Sequence, residues 1–172
     1  MRVFTVGHGA RPLEELVDTL RGAGVETVVD VRRFPGSRRH PQFNQQSLAA
    51  AIPEAGIEYR HEVELGGLRS GEPGEERFSC IRTSAFRSYA ARMGQPEWQH
   101  ALRRVIAAPT PCVMCAETLW WRCHRRLIAE LLAARGHEVV HLIRPHEYRP
   151  HSPSEEADYR AGALYLCGEL VA

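Results

Sequence analysis

The segment from Pro111 to Arg126, PCVMCAETLWWRCHRR, combines thiols, a carboxylate, an imidazole and guanidinium groups in one short stretch. An apolar run ends at Cys115, and a helical pattern begins at Cys123. Junctions between a strand and a helix are where α/β proteins usually keep their reacting side chains. We therefore expect catalysis or ligand binding in this segment.

Two thiols in the segment are candidates for a reactive cysteine. Cys123 opens the predicted helix beside His124 and several arginines. The positive end of the helix dipole and these cations favour a thiolate, so we predict Cys123 to be the more reactive thiol. Burial as a small apolar side chain is the alternative for both Cys115 and Cys123. Cys112 is predicted to belong to the core.

Carboxylates and arginines indicate a second kind of chemistry. Asp30 and Glu117 end two different predicted strands, where a carboxylate activates water or stabilises a developing cation. Arginine forks hold phosphate, and aromatic faces stack on a base. The predicted substrate-binding residues are His8, Arg32, Arg38, Arg39, Asn44, Trp121, Arg122 and Arg125. A structural ion pair between Asp30 and Arg32 is the alternative.

These residues together predict a hydrolase that acts on a nucleotide or nucleic acid and breaks an N-glycosidic or phosphoester bond. Its catalytic residues would be Asp30, Glu117, Cys123 and His124. A rhodanese-like thiol or sulfur-transfer enzyme using Cys115 or Cys123 stays open, although residues 116–121 lack the glycine of such loops. A non-catalytic module that binds nucleic acid through its arginines also stays open. The cysteine and histidine spacing matches no zinc motif, so we expect neither a metal nor a cofactor.

Composition excludes several mechanisms. The chain has 22 basic residues among its 172 and contains no lysine, so a lysine Schiff base and a P-loop lysine are impossible. Five cysteines are an odd number, and the N-terminus lacks the apolar stretch of a signal peptide or membrane span. We therefore expect free thiols in a reducing cytoplasm and no membrane association. The oligomeric state is not predicted.

Alternating patterns predict one α/β domain over residues 1–172, with a mostly parallel central sheet and helices on both faces. Residues 1–144 form the predicted core, and residues 145–172 form an extension packed on it. The predicted strands are 2–6, 25–31, 57–61, 111–115 and 138–143, and the predicted helices are 12–20, 47–55, 83–93, 96–107 and 123–135. A loop is predicted over 65–79. The tips of three strands, at Gly7-His8, Asp30-Arg32 and Cys115-Glu117, are expected to meet at one cleft.

Several motifs resemble the domain-of-unknown-function 488 family. They are Thr5-Val-Gly-His8, Val29-Asp-Val-Arg-Arg-Phe-Pro-Gly-Ser-Arg-Arg-His-Pro-Gln-Phe-Asn44, Leu65-Gly-Gly67, Met114-Cys-Ala-Glu117 and Trp121-Arg-Cys-His-Arg125. The likeness runs from Met1 to about Arg144. It implies a fold and a site at these motifs but no particular reaction.

Overall fold

The computed structural model describes residues 1–67 and 70–172 of the chain. Its central feature is a six-stranded sheet with strand order β3-β2-β4-β1-β5-β6. The sheet strands are β1 (Arg2–Gly7), β2 (Thr27–Asp30), β3 (Glu58–His61), β4 (Pro111–Cys115), β5 (Glu138–Arg144) and β6 (Glu147–Pro150). The first five run parallel, and β6 pairs antiparallel with β5. The prediction of an α/β domain with a mostly parallel sheet is confirmed.

Five helices of the described part of the chain surround this sheet. They are α1 (Leu13–Gly22), α2 (Gln45–Glu54), α3 (Ser84–Met93), α4 (Pro96–Ala107) and α5 (Arg125–Ala134). Helix α5 begins two residues later than its pattern predicts, because Cys123 has an extended backbone and His124 takes the cap position. The predicted loop 65–79 contains a 3-10 turn at Glu75–Phe78, and two of its residues, 68 and 69, lie outside the described residues.

The sheet separates two apolar clusters. One face packs α1 and α2 against side chains such as Val6 and Val28, and the other packs α4 and α5 against Val29 and Val113. All residues of β2 and β4 are buried, as expected for central parallel strands covered on both faces. Burial on both faces therefore specifies the register of β1, β4 and β2, and this register places the carboxyl ends of these strands next to each other.

The register brings together the three tips that the sequence predicts to meet. Gly7 pairs with Cys115, and Asp30 pairs with Met114, so the ends of β1, β4 and β2 are neighbours. Gly7 permits this approach, because a Cβ there would lie 1.9 Å from the carbonyl oxygen of Glu117. Backbone hydrogen bonds from His8 to Cys115 and from Gly9 to Ala116 continue the pairing beyond the strands.

Residues after β6 form a small antiparallel sheet of β7 (Ala157–Arg160), β8 (Ala163–Leu166) and β9 (Glu169–Leu170). Leu164, Leu166 and Val171 from this segment join the apolar cluster that contains α5. Glu130 of α5 is fully buried and accepts hydrogen bonds from the Ser154 backbone and the Tyr159 hydroxyl. The segment therefore contacts α5 through both apolar and polar side chains.

A disulfide joins Cys80 to Cys167 and crosses 87 residues of sequence. The expectation that all five cysteines are free is therefore wrong for this pair, because folding brings together two thiols that have no sequence context in common. Cys112, Cys115 and Cys123 are free and buried.

Replacing both disulfide cysteines by serine in a C80S/C167S variant should lower the free energy of unfolding by about 2–5 kcal/mol, because the loop they close is long. Urea unfolding followed by tryptophan fluorescence measures the change. Dithiothreitol should lower the midpoint of the unmodified protein and leave that of the variant unchanged. Equal midpoints without reductant would contradict a stabilising bridge.

Candidate functional site

A cavity of about 280 Å³ opens at the joined strand tips. Its lining includes both candidate thiols, Cys115 and Cys123, together with His124. The phenyl rings of Phe34 and Phe86 make much of the remaining wall apolar. Pockets of this kind, with an apolar wall and a few convergent polar groups, are the usual sites of small ligands.

The two thiols are in direct contact. The Sγ atoms of Cys115 and Cys123 lie 2.8 Å apart, although the two residues are eight positions apart in sequence. Cys115 ends β4, and the chain returns through a 3-10 turn, Trp120–Arg122, before Cys123 leads into α5. The two ends of the loop between β4 and α5 are therefore in contact through these two sulfur atoms, which are not bonded to each other.

Arg125 is the positively charged residue that contacts both thiols. Its Nη1 donates to Cys115 Sγ at 3.2 Å, and its Nη2 donates to the carbonyl oxygen of Thr118 at 3.2 Å. Its backbone N–H points to Cys123 Sγ at 3.4 Å. The side chain is only 1% exposed, and no carboxylate of residues 1–67 or 70–172 lies within ion-pair distance of it.

This environment separates the ionisation of the two thiols. Burial alone raises the pKa of Cys115, but the Cys123 hydrogen bond and the Arg125 charge outweigh it and bring that pKa to about 7. The hydrogen bond to Cys115, together with burial and the Cys115 charge, raises the pKa of Cys123 well above its usual value. The structure therefore favours Cys115 as the thiolate, whereas the helix-dipole argument predicts Cys123. The reason is that the Arg125 guanidinium contacts Cys115, the cysteine at the end of β4. This contact could not be inferred from the spacing of the residues in the sequence.

His124 lies against both the thiols and the second strand. Its Nδ1 is 3.5 Å from Cys123 Sγ, and its Nε2 is 3.3 Å from the carbonyl oxygen of Val31. Burial, with a smaller effect of Arg125, lowers the pKa of His124 to about 4. Gly67 gives the ring its place, because a Cβ there would come within 2.6 Å of Nδ1. Steric contact with His124 therefore explains why the Leu65-Gly-Gly67 motif has a glycine at position 67.

Asp30 belongs to a separate, closed network. Its carboxylate is fully buried and accepts two hydrogen bonds from the Arg32 side chain, at 2.8 and 2.6 Å. The Tyr59 hydroxyl donates to the same carboxylate at 2.7 Å. His8 Nε2 accepts from Arg32 Nη1, and burial lowers the pKa of His8 to about 4. With its oxygens engaged in this way, Asp30 holds Arg32 at the cavity wall and is poorly placed to activate water.

Glu117 and Arg122 differ from Asp30 in being exposed, and both line the cavity. Glu117 Oε1 also accepts a hydrogen bond from the Leu119 backbone at 3.3 Å. Trp121 is 46% exposed and lines a second cavity, with Glu130 and His151. The structure thus separates Trp121 from the cavity that holds the thiols.

The predicted arginine loop lies outside the cavity lining. Arg38 and Arg39 are exposed, and neither lines the cavity of Cys115. Asn44 accepts a hydrogen bond from the Ser37 backbone at 2.5 Å and so fastens the loop to the start of α2. Two contributors stand outside the predicted catalytic and substrate-binding residues: Cys115, which the sequence indicates only for the thiol alternative, and Tyr59. The end of an apolar strand was a signal for Cys115, whereas nothing in the sequence linked Tyr59 to Asp30.

No group of three or more metal-ligating side chains occurs among the described residues. Within the same part of the chain, no helix is long and apolar enough to cross a membrane. Fold and site together define an α/β domain with a buried dithiol and an arginine at the carboxyl ends of its strands.

The family described as Domain of unknown function DUF488 matches residues 12–132, which is more than half of the chain. This chain belongs to that family. The match covers Asp30 and the loop from Cys115 to Arg125, and it ends before the segment that forms the small antiparallel sheet. No curated protein matches the chain, and no solved structure does.

Replacing Asp30 by asparagine should lower the free energy of unfolding by about 3–5 kcal/mol, because it leaves the Arg32 guanidinium buried without a counter-charge. Removing only the Tyr59 hydroxyl, in Y59F, should lower it by about 1 kcal/mol. Urea unfolding measures both changes. The pH midpoint for alkylation of Cys115 should stay the same in each variant. An unchanged stability of D30N together with a lost reactivity of Cys115 would contradict the structural role.

Proposed function

We propose that this protein is an enzyme that uses the Cys115 thiolate as a nucleophile. The observation that supports it is the contact between the Arg125 guanidinium and Cys115 Sγ, in a place where the guanidinium is almost wholly buried. A guanidinium stays protonated at all physiological pH values. An unpaired buried charge is strongly destabilising, so a thiolate is the available anion for Arg125.

Geometry favours exchange between thiols and disulfides over a rhodanese-like transfer. A persulfide site of the rhodanese kind needs loop N–H groups that point at the sulfur. In residues 116–124, the N–H groups of Leu119, Arg122 and Cys123 instead donate to acceptors within the loop itself. A second thiol 2.8 Å away suits a reaction in which the first sulfur forms a bond that the second one breaks.

Reduced Cys115 and Cys123 are needed to begin such a reaction. We therefore propose the cytoplasm as its setting, since thiols are kept reduced there, and the Cys80–Cys167 disulfide is then an exception to that rule within this chain.

The first test of the function is the rate of Cys115 alkylation by iodoacetamide as a function of pH. With a pKa of about 7, Cys115 becomes a thiolate as the pH rises through 7, so the rate should rise there and level off above it. Replacing Arg125 by methionine removes the charge and should move this midpoint above 9, which makes the thiolate fraction at pH 7 roughly fiftyfold smaller and lowers the rate accordingly. R125K keeps a charge and should give an intermediate midpoint. A midpoint unaffected by R125M would contradict the proposal.

A hydrolase acting on a nucleotide or nucleic acid is the second candidate function. It is favoured by the exposed Glu117 carboxylate at the cavity, with Arg122 beside the same opening as a cation for phosphate. Asp30 is engaged by Arg32 and Tyr59, so Glu117 is the remaining carboxylate to position water.

Glu117 gives a direct test of the hydrolase. E117Q should lower the hydrolysis of nucleotides or single-stranded oligonucleotides by about a hundredfold if this carboxylate is the general base. Product release measured by chromatography reports the activity, and E155Q, an exposed glutamate outside this cavity, serves as the matched control. Equal activity of E117Q and the unmodified protein would contradict the hydrolase.

A further inference from the structure

We propose that Cys123 and His124 form a resolving dyad, which makes the protein a dithiol–disulfide oxidoreductase for small anionic disulfides with an apolar body. The proposal rests on the proposed function of Cys115 as a nucleophile. It adds the residues that complete the reaction and the class of substrate. The geometry that supports it is the row of Cys115 Sγ, Cys123 Sγ and His124 Nδ1, with neighbouring separations of 2.8 and 3.5 Å.

The hydrogen bonds of His124 determine which ring nitrogen is basic. The Val31 carbonyl can only accept, so His124 Nε2 carries the hydrogen of that contact. The ring is neutral near pH 7 because its pKa is lowered to about 4, and Nδ1 is then unprotonated. Its lone pair is therefore available to the Cys123 S–H group.

The charge on Cys115 sets the order of events. While Cys115 is a thiolate, Cys123 stays protonated, because a second negative charge beside the first is unfavourable. Once Cys115 is bonded to a substrate sulfur, its negative charge has left with the first product. The Arg125 guanidinium and its backbone N–H, 3.4 Å from Cys123 Sγ, then favour a thiolate on Cys123.

The reaction balances in two steps. The Cys115 thiolate attacks a disulfide, RS–SR, forms the mixed disulfide Cys115–S–SR and releases RS⁻. The Cys123 sulfur attacks Cys115 Sγ while its proton moves to His124 Nδ1 and on to the departing sulfur, so that no lasting charge forms on the buried ring. This step breaks the bond to the second RS group, which receives the proton and leaves as RSH. The protein has lost two electrons to the substrate, and two external thiols return them by the reverse exchange and leave as a disulfide.

The cavity indicates the substrate class. Phe34, Phe86 and Ala85 give it an apolar wall, which suits an aromatic or aliphatic body. Arg122 is exposed at the same cavity, and a guanidinium in that position suits a carboxylate on the substrate.

The probe for the test is 5,5′-dithiobis(2-nitrobenzoate), an aromatic disulfide with carboxylates that releases a coloured thiolate. Reduced protein, freed of reductant, is mixed with the probe, and release is followed by absorbance in stopped flow. A C115S/C123S variant gives the matched background from the other cysteines. Mass spectrometry of peptides then locates adducts and disulfides.

The unmodified protein should release two thiolates above this background and end with a Cys115–Cys123 disulfide. C123S should release one and keep the nitrobenzoate adduct on Cys115. H124Q should keep the first phase and slow the second about a hundredfold, with a rate that rises with pH. G67A displaces the His124 ring by contact with Nδ1 and should affect the same phase, which provides a second variant should H124Q fail to fold.

Different failures separate the two proposals. A stable adduct on Cys115 of the unmodified protein would overturn the resolving dyad and leave Cys115 a nucleophile. A first phase as fast in C115S as in the unmodified protein would overturn the proposed function itself. An unchanged second phase in both H124Q and G67A would remove His124 from the reaction and leave Cys123 as the resolving thiol.

Discussion

The arrangement of the site depends on one buried cation. Arg125 lies at the start of α5 with almost no exposure and with no carboxylate partner in residues 1–67 or 70–172. Its remaining neighbours are a carbonyl oxygen and two sulfurs. A carbonyl dipole cannot balance a full charge, so the native state is most stable when a sulfur is ionised. The fold and the reactivity of Cys115 are therefore coupled through the same interaction.

That coupling also fixes the loop between β4 and α5. One guanidinium holds the strand end at Cys115 and the loop at Thr118, while the backbone of the same residue reaches Cys123. Gly7 lets the loop lie against β1, because any side chain there would overlap the Glu117 carbonyl. Backbone contacts with β1 and the Arg125 side chain thus hold the loop between β4 and α5 in place.

Charges at the strand tips are divided into two groups. The first group is a hydrogen-bonded network in which the charges of Asp30 and Arg32 neutralise each other. Its other members are Tyr59 and His8. Among the described residues Arg125 has no carboxylate partner, and Cys115 Sγ is the atom placed to supply its counter-charge. The first group supports the shape of the cavity, and the second is the basis of the proposed chemistry. Both stand beside each other because β2, β4 and β1 are adjacent in the sheet.

Over residues 1–144, the sequence by itself determined the parallel sheet, the order of its first five strands and of the five helices, and the meeting of three strand tips, because burial and helical periodicity are local properties of the chain. Strand β6 and the small sheet of β7, β8 and β9 were not predicted. Strand β4 and helix α4 even have their predicted bounds. Only the tertiary structure decided that Arg125 contacts Cys115, that Tyr59 and Arg32 enclose Asp30, and that Cys80 is bonded to Cys167. Apart from the contact of Asp30 with Arg32, two positions further along the chain, these contacts join residues from different parts of the fold, and the distances and burial of all of them follow from packing. The ionisation of a thiol or carboxylate depends on those distances, so pattern and spacing could name the residues of the site without assigning their roles.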